Sequence, residues 1–212
     1  MLQSRYKKCK LQEEENQMNT TLDYYNNNAA SFVQGTVDVE FHETQDKFLQ
    51  YIPVHGSILD FGCGSGRDTN YFLQKGFVTE AVDGSKELCR IATEYTGIPV
   101  KEMLFQDLNE TEKYHGIWAC SSILHIPKDE LKEVFYRIQR ALKSNGILYT
   151  SFKYGDFEGI RNGRYFIDFN EENFKKFITD FNDLQIEEQW ITGDVRPGRG
   201  NEKWLNLIIR KK

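Results

Sequence analysis

No stretch of the 212-residue chain approaches roughly eighteen consecutive apolar residues, so the sequence offers no transmembrane helix. The opening MLQSRYKKCK carries basic residues without an apolar run behind them, which is not the pattern of a secretory leader, and the cytoplasm is the expected compartment. Cysteine is scarce. Cys9, Cys63, Cys89 and Cys120 are scattered, with no CxxC pair and no Cys/His spacing of a metal site, so they read as reduced thiols and no metal is expected. Positive charge is not in excess: 27 Lys and Arg face 32 Asp and Glu, for a net charge of −5. That balance argues against a surface that tracks a nucleic-acid backbone, while a local basic patch remains open. No internal repeat or low-complexity linker is visible, and one domain is expected over residues 21–212, behind a charged N-terminal tail or helix at 1–20.

What is present is an alternation of strand and helix patterns. Apolar residues recur at mostly helical intervals over residues 22–34 and 39–52, the second with a stripe of Phe41, Phe48, Leu49 and Ile52. Strands are expected at 57–61, 77–82, 100–104, 116–120, 147–152, 184–191 and 204–209. Helices are expected at 67–75, 85–95 and 127–143, and a further one capped by Asn170 with Phe174, Phe177, Ile178 and Phe181 on its buried face. Pro127 suits the first turn of the third of these, and Asn145-Gly146 its end. Only a loop separates the last two strands, too short for a crossover, so that pair should be antiparallel. The sum is an α/β, Rossmann-like, seven-stranded and mostly parallel sheet with helices on both faces and an antiparallel last strand.

The stretch ILDFGCGSGRD (58–68) lies where the first strand of such a sheet turns into a helix, the usual ligand position of an open α/β sheet. Glycines at 62, 64 and 66 let the backbone come close to a ligand. The plainer reading is a glycine-rich turn that binds nothing. A dinucleotide fingerprint needs a small residue at 67, where Arg67 stands, and a phosphate loop needs GK[ST], which is absent. Asp83 closes the second strand, where an acid can bond both hydroxyls of a ribose, a reading that a dinucleotide enzyme shares.

DFGCGSG, with Asp83 and the later Asp107-Leu108, resembles the class I S-adenosylmethionine-dependent methyltransferases. Within them, WACSSILHIP, SFKYG and RPGRGNEKWLN resemble a bacterial small-molecule group of tellurite-resistance and quinone-type methyltransferase-like proteins. The resemblance implies S-adenosyl-L-methionine as cofactor and assigns roles. Asp60 would orient the loop and the methionine amine, and Gly62 and Gly64 would let the backbone lie against methionine and ribose. Asp83 would take the ribose hydroxyls, Asp107 and Leu108 the adenine, and Cys120 the methionine portion. Tyr25, in a Tyr-x-x-x-Ala-x-x-Phe pattern like the family's entry helix, would cover the cofactor, although Asn26 replaces the usual acid. Arg67 would pair with the methionine carboxylate, or else is an ordinary helix arginine.

On the acceptor side, His125 precedes the helix at 127 and is the candidate general base, the alternative being a histidine bonded to the turn before Pro127. Arg161, Arg164, Arg196 and Arg199 fall in two glycine-containing loops that would emerge over the cofactor, with Tyr154 among the aromatic walls. As a set they fit a small, anionic or polar acceptor, methylated by in-line displacement; singly, each can be paired with Asp156, Glu158, Asp194 or Glu202. The other readings are a nucleic-acid or protein methyltransferase, disfavoured by net charge and by CSSIL where an amino-methylating enzyme needs [DNS]PP[YFW], and a non-catalytic nucleotide-binding module.

Overall fold

The computed structural model describes residues 20–212; the expected N-terminal tail lies outside the described residues, apart from Thr20. Helix α1 spans 20–34 and is followed by α2 (His42–Leu49), so the second helical pattern yields a helix shorter than its apolar stripe. Then come β1 (Ser57–Phe61), α3 (Arg67–Gln74), β2 (Val78–Asp83), α4 (Lys86–Thr96), β3 (Val100–Glu102) and β4 (Tyr114–Ala119). Helix α5 (Lys128–Ala141) leads into β5 (Leu142–Lys153), a hairpin of β6 (Glu158–Arg161) and β7 (Arg164–Ile167), α6 (Glu171–Ile178), β8 (Leu184–Gly193) and β9 (Lys203–Lys211).

Seven strands form one sheet in the order β3-β2-β1-β4-β5-β9-β8. Strands β1 to β5 pair in parallel, and β9 runs antiparallel to both β5 and β8. The alternation of side chains along β4 shows how the layers are built. Ile117 and Ala119 face α5 and α6, with Leu131, Val134, Phe135, Phe174 and Phe177. Trp118, between them, faces the other way onto Phe48 of α2 and Phe72 of α3, stacked on Tyr149 at 3.9 Å. Ser85 caps α4 and Asn170 caps α6, each accepting a backbone N–H from the first turn.

Most strand and helix ends shift by one to three residues from the sequence expectation, and two differences go further. Helix α5 ends at Ala141, because Leu142 is already extended (φ −70°, ψ 139°) and pairs with Tyr114, ahead of Asn145-Gly146. The segment after β5, expected as a loop, is the β6–β7 hairpin, in which Arg161 pairs with Arg164 across Asn162 and Gly163 (φ 52° and 73°). Two successive positive φ values match the twist of the flanking strands, as in a type I′ turn.

Strand order reverses between β1 and β4. The crevice beyond their carboxyl ends, flanked by Gly62 and by Cys120 to Ser122, is where the candidate site lies.

Candidate functional site

The turn after β1 is shaped by its glycines. Gly62, Gly64 and Gly66 have φ of 87°, 56° and 80°, the left-handed region that side chains resist. A Cβ on Gly62 would lie 2.5 Å from Cβ of Ser122, so the turn can sit against the end of β4 only without one. The backbone N–H groups of Gly62 and Cys63 donate to the Val82 carbonyl, and Gly64 N–H donates to Asp83 Oδ2 at 2.9 Å. Asp83 Oδ1 accepts from Ser85 N–H at 2.8 Å. Burial raises the Asp83 pKa, and the N–H groups of Ser85, Gly64 and Gly84 oppose that rise. Gly64 and Ser85 each bond one Asp83 oxygen, and the carboxylate keeps lone pairs on the cavity side that could receive the two hydroxyls of a ribose.

Asp60 is 2% exposed and lies beneath the turn, accepting from Thr69 Oγ1 at 2.6 Å. Burial, then the charge of Asp68, push its pKa well up. It does not line the cavity. Arg67 does, and it is held by a fork: Nε and Nη2 donate to Asp68 Oδ1 and Oδ2 at 2.7 and 3.0 Å. The same two oxygens accept from Gln45 Nε2 at 2.6 Å and Trp118 Nε1 at 2.8 Å. Four donors therefore fix one carboxylate, and the carboxylate fixes the guanidinium, whose face lies 4.8 Å from the Phe41 ring. Nη1 takes no partner among the described residues and is left for a ligand.

Across the cavity, Tyr25 of α1 and His125 meet. Tyr25 Oη and His125 Nε2 are 2.8 Å apart, and His125 Nδ1 is 2.7 Å from the Tyr165 carbonyl. A carbonyl only accepts, so Nδ1 carries the proton and Nε2 accepts from the phenol. Burial pulls the His125 pKa down to about 4, against the opposing Tyr165 bond, and burial raises that of Tyr25 against the pull of Arg164. Arg164 Nη1 donates to Tyr25 Oη at 3.2 Å, and its guanidinium sits 4.4 Å from the Tyr24 ring. Its Nε is buried with no hydrogen-bond partner, and Arg164 has no carboxylate partner among the described residues.

The remaining arginines converge as the topology requires, because β5 and β8 point the same way on either side of β9. Arg196 and Arg199 line the same cavity as Arg164, joined by Lys153 at the end of β5. Arg196 makes a bidentate pair with Asp194, whose own burial would raise its pKa but which the Arg196 contacts bring down to about 2. Arg199 and Lys153 both reach Glu202. Arg161, paired with Asp168 at 2.8 Å, and Tyr154, bonded to Glu171, line an adjoining outer depression instead. Cys120 lines the cavity, its thiol pushed up to about 12 by burial.

Asp107 and Leu108 are not brought to the cavity: Asp107 is exposed and Leu108 is packed in the core. Met103, Leu104, Phe105 and Gln106 form that wall. Sequence reasoning missed Lys153, the Gln45–Asp68–Trp118 support of Arg67, and the hairpin bearing Arg161 and Arg164. The hairpin alone had a local signal, Asn-Gly between two short β-prone runs.

Comparison with known proteins agrees with this geometry. Residues 58–146 match a family described as a methyltransferase domain. The Bacillus subtilis (strain 168) protein YqeM, which its name assigns to the methyltransferases, is 30% identical over 128 residues, covering 53% of this chain and 51% of YqeM. The chain thus spans about half the length of this relative. Among solved structures, the 1,6-didemethyltoxoflavin-N1-methyltransferase of Burkholderia thailandensis, bound to 1,6-didemethyltoxoflavin and S-adenosylhomocysteine, superposes with a TM-score of 0.68 at 21% identity over 80% of this chain and 77% of that one. Magnesium protoporphyrin IX methyltransferase from Synechocystis PCC 6803, with bound S-adenosylhomocysteine, gives 0.67 at 17% identity over 90% and 97%. At these identities the solved structures speak for the fold.

Proposed function

We propose that the chain transfers a methyl group from S-adenosylmethionine to a small, anionic acceptor, a reading supported by the match of residues 58–146 to a methyltransferase domain and by the fold shared with the methyltransferase of Burkholderia thailandensis. One observation carries the reading: a single cavity runs from the glycine turn and Asp83, past Tyr25 and His125, to Lys153, Arg164, Arg196 and Arg199. Its first half suits a nucleoside with a charged amino-acid tail, and its second half suits an anion.

S-adenosylmethionine supplies a methyl group on a sulfonium, whose displacement asks the protein mainly for alignment and exclusion of water. Asp83 takes the ribose hydroxyls, and the bare backbone of Gly62 and Gly64 forms the floor. Arg67, steadied by Asp68, takes the methionine carboxylate, with Cys120 beside that portion. Asp60 supports the turn from below through Thr69. Tyr25 closes the cavity from α1 and, with His125, handles protons. An acceptor that must lose a proton gives it to the Tyr25 oxygen, while the phenolic proton passes to His125 Nε2. Arg164, donating to the same oxygen, lowers the cost of negative charge on it. An anionic group of the acceptor rests among Arg164, Arg196 and Arg199.

Calorimetry with S-adenosylhomocysteine, S-adenosylmethionine and NAD tests the reading. Both sulfur compounds should bind and NAD should not, and Asp83→Ala should weaken S-adenosylhomocysteine by about tenfold or more, from the loss of hydrogen bonds to a charged group. Binding of NAD in place of the sulfur compounds would overturn it.

A further inference from the structure

The acceptor half of the cavity does not end at Arg164. It meets an outer depression that shares Lys153, Arg164, Phe166 and Arg199 with it, so the two form one passage with these side chains at the neck. The outer depression holds Lys153, Arg161, Arg164, Arg199 and Lys203 against only two carboxylates, Asp168 and Glu202. The pairing leaves a surplus. Asp168 is taken by Arg161, and Glu202 is shared by Lys153 and Arg199. Arg164 and Lys203 keep no carboxylate among the described residues. The side-chain amides of Asn162 and Asn201, on the facing hairpin and loop, likewise bond no described residue. Unspent donors from two separate segments, the hairpin and the junction of the loop with β9, therefore meet over one depression, beyond the place where the methyl group is delivered.

We propose that this outer depression binds a second oxyanion of the acceptor, a phosphate or a carboxylate. The acceptor is then an elongated, doubly anionic metabolite. Its reactive end lies at Tyr25 and His125, one anionic group lies among the inner arginines, and the other lies between Arg161 and Lys203. Asp168, whose carboxylate burial raises in pKa against the opposing Arg161, orients that arginine from behind. The Arg161 guanidinium is also stacked 4.2 Å from the Phe157 ring, which fixes its plane while leaving edge donors for an anion. The inference rests on the methyltransferase reading for the identity of the inner half, and the outer site is tested through Arg161 and Lys203, which line only the outer depression.

Inorganic pyrophosphate serves as the probe. It is titrated into the protein alone and into the protein saturated with S-adenosylhomocysteine, beside Lys203→Gln and Arg161→Gln. Pyrophosphate should bind both forms of the wild type. Each variant should weaken it by about tenfold, the loss of one charge-assisted contact, with S-adenosylhomocysteine affinity unchanged. Lys203 is exposed and its side chain has no partner among the described residues, so its variant reports even if Arg161→Gln folds poorly. Absence of pyrophosphate binding, or equal binding by wild type and Lys203→Gln, overturns the proposal. A short single-stranded oligonucleotide that outcompetes pyrophosphate through Lys203 also overturns it, in favour of a polymeric partner. Pyrophosphate binding without S-adenosylhomocysteine binding keeps the outer site and removes the methyltransferase reading.

Discussion

His125 is locked at both nitrogens, and that has a pH consequence. Nδ1 donates to the Tyr165 carbonyl and Nε2 accepts from Tyr25, so protonation must reverse the second bond and place a charge in a buried pocket beside Arg164. The pKa accordingly falls from the ordinary 6.5 to about 4. A histidine depressed in the folded state stabilises the fold fully above the unfolded value of 6.5 and loses that contribution as pH falls through about 4. The loss amounts to something on the order of 3 kcal/mol across that window. Urea unfolding of wild type and His125→Asn should therefore show a stability difference that is greatest near neutrality and shrinks between pH 6.5 and 4. A constant difference would mean that folding leaves the His125 pKa at its ordinary value. The position of His125 before α5 was legible in the sequence, but its partners were not, since Tyr25 lies 100 residues and Tyr165 40 residues away along the chain.

At the scale of the elements, the glycine turn is the joint on which the cavity depends. Gly62→Ala would force a Cβ to within 2.5 Å of Ser122 and demand a φ of 87° from alanine. The substitution should cost about 2 kcal/mol or more in thermal unfolding, and abolish detectable S-adenosylhomocysteine binding. Retained affinity would show that the turn can shift away from β4 without disturbing the pocket. This turn and Asp83 were readable because a strand-to-helix turn is encoded by contiguous residues, and the long helices by their apolar stripes. The β6–β7 hairpin escaped because its strands are four residues each and partly exposed, with arginines where a buried strand would carry apolar side chains. Asp107 stood for the adenine wall by resemblance alone; the 3-10 turn at Phe105–Asp107 points Phe105 and Gln106 to the cavity instead.

For the whole molecule, the distribution of charge matters more than its total. A chain of net charge −5 gathers Lys153, Arg164, Arg196 and Arg199 at one opening, which only the folded sheet order brings about. Composition alone could exclude a uniformly basic surface, and it could not locate this mouth. The mouth also depends on β9, which separates β5 from β8 and whose inward residues Leu205, Leu207 and Ile209 are fully buried. Removal of residues 203–212 should abolish cooperative thermal unfolding, as followed by circular dichroism, rather than merely lower the midpoint. A truncated chain with a sharp transition would mean that β5 and β8 can close the sheet without it.

That strand has a bearing on how the protein is made. Strands β5 and β8 leave the ribosome before the strand that must lie between them. Until residues 203–211 emerge from the exit tunnel, both expose unpaired edges, and the growing chain can assemble only the five strands β3-β2-β1-β4-β5 of its seven-stranded sheet. The Arg196 and Arg199 segment can take its place over the cavity only after that, so the arginine-lined mouth forms later than the rest of the cavity, and a chain stalled short of β9 has its glycine turn without the basic rim that faces it.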